Sequence, residues 1–158
     1  MNSIAFKGAA MALAIGVMPV AALAQDAAPP VAPAATEDWT PFSRSGTRAY
    51  LADLTSLTTG DPVSVRLARA PLAALAGDYS YTVDDYQFQC AAEQVRLVAT
   101  TEYGPDGAQT DRFTEAAAWE DIPANSLDAY LKGVACNGAR AEARTWPSIK
   151  AFIDAGRP

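Results

Sequence analysis

The chain has two cysteines, Cys90 and Cys136, which constrain its fold more than any other feature. Two thiols allow a single intramolecular bridge. Closing a loop of this size removes chain entropy from the unfolded ensemble worth about 4 kcal/mol. That is a large share of the ~5–15 kcal/mol that separates the folded and unfolded states of typical domains. Pairing depends on the compartment, because an oxidising one favours a bridge, and two separately buried thiols are the alternative.

The N-terminal residues predict a targeting segment and therefore the compartment. Lys7 supplies a positive region, and an apolar run fills residues 9–22. Ala22-Leu23-Ala24 places small residues at the positions that a signal peptidase reads, so we predict a signal peptide over residues 1–24. The apolar run is shorter than the ~20 residues of a membrane-spanning helix, which makes a permanent anchor the weaker interpretation. The mature chain should be exported, to the periplasm or the exterior, where the cysteines pair.

The remaining residues predict a tether followed by a single domain. Residues 25–38 are rich in alanine and proline, which is typical of an extended tether or a disordered leader. No cysteine lies near the predicted cleavage site, so we expect a soluble rather than a lipid-anchored protein. The residues after this tether are numerous enough for one domain with a core and too few for two.

Period-two alternation predicts about six β-strands separated by turn residues. The strands are predicted within residues 39–44, 47–54, 63–68, 79–90, 93–103 and 109–113. Gly104-Pro105-Asp106-Gly107 has proline second and glycine fourth, which suits a type I turn in a hairpin. Residues 71–76 are rich in alanine and leucine and predict either a helical turn or a loop.

The alternation changes phase within the fourth predicted strand. Two sets of residues have opposite parity: Tyr79, Tyr81 and Val83, then Tyr86, Phe88 and Cys90. A bulge at Asp84-Asp85 would place both sets on one face, and we predict a solvated bulge there. The paired carboxylates also suggest acid–base chemistry or calcium binding, although neighbours in a strand point to opposite faces.

Two helices are predicted after the strands. Asn125 or Ser126 can cap the first, whose apolar residues have helical spacing: Leu127, Tyr130, Leu131 and Val134. It ends near Cys136, so a bridge to Cys90 would tie it to the fourth strand. The second helix is predicted over residues 147–155, and its apolar stripe favours core packing, with partner binding as the alternative. The predicted fold class is α+β, an antiparallel sheet of about six strands with a C-terminal helix tied to it by one disulfide.

Composition excludes several kinds of catalytic and metal-binding site. The chain has no histidine, which removes Ser-His and Cys-His nucleophile pairs and the commonest metal ligand. Bridged cysteines neither bind zinc nor attack a substrate. Asp84-Asp85 and Glu120-Asp121 leave carboxylate-dependent hydrolysis formally open. Because 18 acidic residues produce adjacent pairs by chance, we predict a protein that is not an enzyme, with no catalytic residue, metal site or cofactor.

Five landmarks follow one another in a distinctive order along the chain. They are Trp39, Tyr50-Leu51-Ala52-Asp53, Phe88-Gln89-Cys90, Trp119-Glu120-Asp121-Ile122-Pro123 and Cys136. This succession resembles the bacterial surface-adhesin protein E-like domain family over residues 39–136. The resemblance implies an antiparallel sheet with a helix tied to it by the disulfide, in agreement with the elements predicted above. It also implies a noncatalytic exported domain, and in the type member a dimeric lipoprotein that binds host matrix proteins.

Two functions are therefore predicted. The first is an exported binding domain that acts through protein–protein contacts, of which adhesion is one kind, with a protein partner or a second copy. The alternative is a periplasmic small-ligand carrier or envelope-stress protein, with a cavity lined by Tyr79, Tyr81, Tyr86 or Phe88. Residues 137–158 form a helical extension beyond the family domain that could cover a sheet edge or face available for dimerisation. The net charge of −6 and the dispersed basic residues argue against nucleic-acid or anionic-membrane partners.

Overall fold

The structure, a computed structural model, describes residues 36–114, 116–140 and 144–158. The predicted signal peptide and most of the predicted tether lie outside the described residues. Seven strands form one sheet: β1 (Trp39–Arg44), β2 (Arg48–Asp53), β3 (Val63–Pro71), β4 (Tyr81–Gln89), β5 (Gln94–Tyr103), β6 (Gln109–Thr114) and β7 (Glu120–Asp121). The six long strands fall where alternation predicts them. Each of β1 to β5 contributes residues to a core, whereas β6 is exposed along its whole length.

The sheet is an antiparallel meander in which β1 to β6 each pair with the next strand in the chain. β6 and β7 share one edge of β5, with β7 pairing to its beginning and β6 to its end. The β5–β6 hairpin has the predicted turn, since Gly107 N donates to Gly104 O at 2.8 Å. Residues 72–76 are a loop rather than a helical turn. The sheet and its C-terminal helices confirm the predicted fold class.

The helix α1 (Leu127–Asn137) packs on one face of the sheet, which we call the α1 face. Ser126 caps it as predicted, because its Oγ accepts a hydrogen bond from Ala129 N at 3.1 Å. Its buried residues and those of the strands form one apolar cluster: Ala52, Val65, Leu67, Tyr86, Phe88, Val95, Leu131 and Val134. Cys136, in the last turn, is bridged to Cys90 directly after β4, with 5.9 Å between their Cα atoms.

Replacing Cys90 by serine should lower the free energy of unfolding by about 2–4 kcal/mol, the usual range for a native bridge. The bridge joins residues 46 positions apart, so its loss frees a long loop in the unfolded chain. Urea unfolding of wild type and variant measures the difference. Reductant should lower the melting temperature of the wild type towards that of the variant and leave that of the variant unchanged. Equal melting temperatures of the wild type with and without reductant would contradict the prediction.

The opposite face of the sheet carries α2 (Ile149–Asp154), within the predicted bounds, and we call it the α2 face. The segment before α2 lies along β1, because Trp39 and Trp146 exchange two backbone hydrogen bonds of 2.9 Å. The buried residues form a second cluster: Trp39, Ala49, Leu51, Ala68, Ala70, Val83, Trp146, Ile149, Phe152 and Ile153. The described part of the predicted extension therefore covers a sheet face, as proposed from the sequence.

The change of phase in β4 arises because the two helices cover diagonally opposite halves of the sheet. Val83 packs on the α2 face, and Tyr86 packs on the α1 face. The prediction of a solvated bulge that unites both sets on one face is therefore wrong. Asp84 is buried, and the register irregularity places the extra residue, Val98, in β5. The apolar positions follow whichever face a helix covers at that point along the strand.

Candidate binding surfaces

The two quarters of the sheet that neither helix covers carry polar side chains. On the α2 face, Ser64, Gln87 and Arg96 lie side by side on β3, β4 and β5. Gln87 Oε1 accepts hydrogen bonds from Arg96 Nε at 2.9 Å and Nη2 at 2.6 Å, and Gln87 Nε2 donates to Ser64 Oγ at 3.4 Å. The Arg96 guanidinium lies 4.5 Å from the centroid of the Trp119 ring. We call these four residues the Trp119 surface.

Trp119 reaches this position because the chain before β7 runs along the free part of the β5 edge. Ala117 N donates to Leu97 O at 2.8 Å, and Glu120 pairs with Val95. The other two tryptophans, Trp39 and Trp146, are only 1% and 7% exposed. The Trp119 ring, by contrast, is half-buried and borders solvent.

Arg96 holds a defined orientation at the Trp119 surface. Two hydrogen bonds to one glutamine oxygen fix the guanidinium plane, and contact with an indole ring at an exposed site contributes about 0.5–1 kcal/mol. No carboxylate in the described ranges forms an ion pair with Arg96. Next to it on the α2 face, Asp85 pairs with Arg112 at 2.7 Å. The surface therefore presents a pre-oriented cation beside an aromatic ring.

The open quarter of the α1 face is a cleft of 450 Å³, which we call the Arg69 cleft. Its central polar residues come from β3, β4 and β5: Arg69, Thr82, Asp84, Thr100 and Glu102. Asp84, which is 3% exposed, forms an ion pair of 2.7 Å with Arg69. Thr100 Oγ1 donates to Asp84 Oδ1 at 2.7 Å. The carboxylate thus fixes groups from both neighbouring strands.

Tyr86 completes the fixation of Arg69 from the edge of the α1 core. Arg69 Nη2 donates to the Tyr86 hydroxyl oxygen at 2.8 Å. Burial raises the pKa of the Tyr86 phenol, and the nearby Arg69 only partly opposes this effect. The phenol therefore stays protonated at neutral pH and can accept from Arg69 while keeping its own proton.

The carboxylate pairs considered from the sequence do not form a common site. Asp84 lies on the α1 face with Arg69, and Asp85 lies on the α2 face with Arg112. Glu120 and Asp121 are exposed in β7, where Asp121 accepts a hydrogen bond from Gln94 at 3.0 Å. Within the ranges that the structure describes, no group of three histidine, cysteine, aspartate or glutamate side chains could hold a metal ion.

The four aromatic residues considered as the lining of a ligand cavity lie on two faces of the sheet. Tyr86 and Phe88 belong to the cluster under α1, and Tyr79 and Tyr81 pack against the cluster under α2. Tyr81 stacks on Tyr103 with 4.2 Å between ring centroids and borders the Arg69 cleft. The four residues therefore do not share one cavity.

Comparison with known proteins identifies the domain. Residues 39–137 match the sequence model of a family described as surface-adhesin protein E. The chain belongs to the surface-adhesin protein E family. The match confirms the resemblance inferred from the landmarks, and it takes in the whole sheet, α1, the disulfide, the Trp119 surface and the Arg69 cleft. No curated protein and no solved structure gives a significant match.

Membership of the surface-adhesin protein E family indicates an exported protein that binds other molecules. The helix α2 lies beyond the matched residues. No helix in the described ranges combines the length and the apolar character needed to cross a bilayer.

Proposed function

We propose that this surface-adhesin protein E domain is a non-catalytic binding module whose protein partner docks on the Trp119 surface. The observation that carries the proposal is the pre-oriented pair of Arg96 and Trp119 on an open part of the sheet. We further propose a signal peptide over residues 1–24 and a tether over 25–38. The adhesin domain then spans 39–136, with the helical extension over 137–158. The exported chain would be soluble, in the periplasm or outside the cell.

The residue types at this surface are those that dominate protein–protein recognition. Tryptophan and arginine are enriched among the few interface residues that carry most of the binding energy. Trp119 is half-buried in the free protein, so a partner can bury the rest of its ring. Because Gln87 already fixes Arg96, little side-chain freedom is lost on binding. An acidic side chain of the partner would complement the Arg96 guanidinium.

Replacing Trp119 by alanine should weaken binding by about 30-fold or more, as expected for a central interface aromatic. The measurement is biolayer interferometry of the exported chain on immobilised laminin, fibronectin and collagen. The matched control is Tyr130→Ala, which removes an aromatic ring that is 53% exposed on α1 and lies outside the Trp119 surface. Circular dichroism confirms that both variants fold.

Three results would contradict this proposal. Equal binding by wild type and Trp119→Ala would show that the partner does not dock on the Trp119 surface. Loss of binding in Tyr130→Ala alone would show that the interface lies on α1. Reproducible hydrolytic turnover by the purified chain would contradict the non-catalytic role. Self-association of the domain stays a prediction, and light scattering coupled to size exclusion of the exported chain tests it.

A further inference from the structure

We infer that the Arg69 cleft binds a neutral oligosaccharide of two or three sugar rings. This inference goes beyond the proposed function, because it concerns the opposite face of the sheet and a different class of ligand. Either site can fail its test without affecting the other, since the Trp119 surface and the Arg69 cleft share no residue.

The size of the cleft suits an oligosaccharide. The Arg69 cleft has a volume of 450 Å³ and adjoins a second hollow of 490 Å³, with Arg48 and Pro71 lining both. Together they cross four strands, β2 to β5, which corresponds to about 14 Å at the usual spacing between strands. Ligand pockets typically have volumes of about 300–1,000 Å³, and an elongated cleft of this width fits a short chain of rings rather than a single compact metabolite.

The charges of the cleft favour a ligand without net charge. Arg69 and Asp84 neutralise each other at 2.7 Å. The remaining charged residues in the lining, Arg48 and Glu102, have opposite signs and are both exposed. In the second hollow, the nearby positive charge of Arg157 partly offsets that of Asp78. A polyanion or a polycation would therefore meet one repulsive group for each attractive one.

The hydrogen-bonding groups of the lining match those of a sugar. Four hydroxyl side chains line the cleft: Ser80, Thr82, Thr100 and Thr110. Ser80 and Thr82 can donate and accept as a sugar hydroxyl does. The hydroxyls of Thr100 and Thr110 donate to Asp84 and to the Glu102 carbonyl, so towards a ligand they act as acceptors. Arg69 adds a donor that is 30% exposed and is fixed from behind by Asp84 and Tyr86. Leu97 and Pro71 add apolar surface to the lining, against which the C–H groups of a sugar ring can pack.

The position of these groups on strands makes the cleft rigid. The pair formed by Arg69 and Asp84 links β3 to β4, and the hydrogen bond from Thr100 links β4 to β5. Sites held by regular elements keep their geometry better than sites on loops. Open faces of small antiparallel sheets bind oligosaccharides in other folds, such as the OB-fold, so the architecture is suited to this ligand.

The test is calorimetric titration of the full chain, purified as it is exported, with maltotriose, cellotriose and chitotriose. A sulfated heparin disaccharide and trialanine are titrated in parallel. We expect at least one neutral trisaccharide to bind at millimolar concentration or below, with little dependence on salt. Arg48→Gln and Glu102→Gln should each weaken its binding about five- to tenfold, the effect of losing one hydrogen bond to a charged or polar group. Both side chains are exposed, so both variants should fold.

The matched control is Arg140→Gln, which removes an exposed arginine outside the cleft whose side chain donates to the neighbouring Ala139 carbonyl. It should bind the sugar as the wild type does. Failure of all three neutral trisaccharides to bind would overturn the inference, and so would equal binding by wild type and both cleft variants. Binding of the heparin disaccharide alone or of trialanine alone would replace it with an anion site or a peptide site.

Discussion

Replacing Phe152 by alanine is expected to lower the free energy of unfolding by about 3–5 kcal/mol, the range for removing a buried aromatic ring. Phe152 is 0% exposed, and its ring meets that of Trp146 edge-to-face, with 5.7 Å between centroids. The alanine variant would lose these contacts and leave a cavity between α2 and the sheet. If α2 relaxes into this space, the loss of unfolding free energy should be near the lower end of the range, about 3 kcal/mol.

Urea unfolding of wild type and Phe152→Ala measures this effect. The matched control is Lys150→Ala on the same helix, because Lys150 is exposed and its ion pair with Asp154 is of the kind that contributes at most about 1 kcal/mol. A Phe152→Ala variant as stable as the wild type would show that α2 contributes little to the fold.

The expected loss would make α2 part of the domain although the family match ends at residue 137. Polar contacts at the C-terminal end of α2 also indicate that this helix is part of the domain. Arg157 donates to the Asp78 carbonyl, and Arg44 donates to the Arg157 carbonyl at 2.9 Å. Tyr79 adds a hydrogen bond of 2.7 Å to Asp154. The extension is thus fixed at both its apolar face and its C-terminal end.

Replacing Asp53 by alanine is expected to lower the free energy of unfolding by about 4 kcal/mol at neutral pH. Asp53 is 0% exposed and forms an ion pair with Arg66. Breaking a buried ion pair costs about 3–5 kcal/mol, and the lower value applies because Arg66 is partly exposed and also pairs with Glu37. Asp53 also accepts a hydrogen bond of 3.0 Å from Thr55 N, and loss of such a cap adds about 1 kcal/mol.

The contribution of Asp53 should depend on pH. Burial raises the pKa of Asp53, but hydrogen bonds from Arg66, Thr55 and the Asp38 backbone outweigh it and hold the pKa below the ordinary value of 3.8. A carboxyl group whose pKa is lower in the folded than in the unfolded state stabilises the folded state. This stabilisation is complete at pH values above the unfolded-state pKa and is lost as the pH falls through the folded-state pKa. The difference in unfolding free energy between wild type and Asp53→Ala should therefore become smaller as the pH falls below 3.8.

Unfolding free energies at neutral and acidic pH measure this change. The control is Glu37→Gln, which removes the partly exposed carboxylate from the same arginine and should cost less than about 1 kcal/mol. A difference between wild type and Asp53→Ala that stays constant down to the lowest pH studied would contradict the assignment to the charged carboxylate.

Local sequence patterns were sufficient to predict most of the elements. The cap at Ser126 and the apolar spacing after it predict α1, because both signals act within one turn of the helix. Gly104-Pro105-Asp106-Gly107 likewise determines the β5–β6 turn through the conformations that its own residues prefer. The disulfide could be predicted because the chain has two cysteines and a predicted export signal.

The distribution of residues between the two faces could not be predicted, because it depends on where distant helices pack. Alternation in β4 looks the same whether a bulge shifts the strand or a second helix covers the other face. The bulge at Val98 has no glycine or proline to mark it. It moves Ala99 to the face opposite Leu97, although the sequence presents the two as one continuous alternation.

The two surfaces differ in how visible they are in the sequence. Trp119 belongs to a landmark of the family, so sequence comparison singles it out, although its contact with Arg96 depends on how the chain runs along β5. The Arg69 cleft has no such signal. Arg69, Asp84 and Thr100 come together only through the register of three strands, and an acidic pair in a strand suggested solvent exposure rather than a buried ion pair.

The most direct test of the proposed function is the response of the three tryptophan indole signals in a ¹H–¹⁵N spectrum of the exported chain. The titrant is a soluble fragment of whichever matrix protein binds in the interferometry panel, and Trp119→Phe assigns the signal of the half-buried ring. We predict that the Trp119 signal shifts or broadens in proportion to occupancy, while those of the buried Trp39 and Trp146 stay unchanged. An unchanged Trp119 signal at saturation would contradict docking on the Trp119 surface.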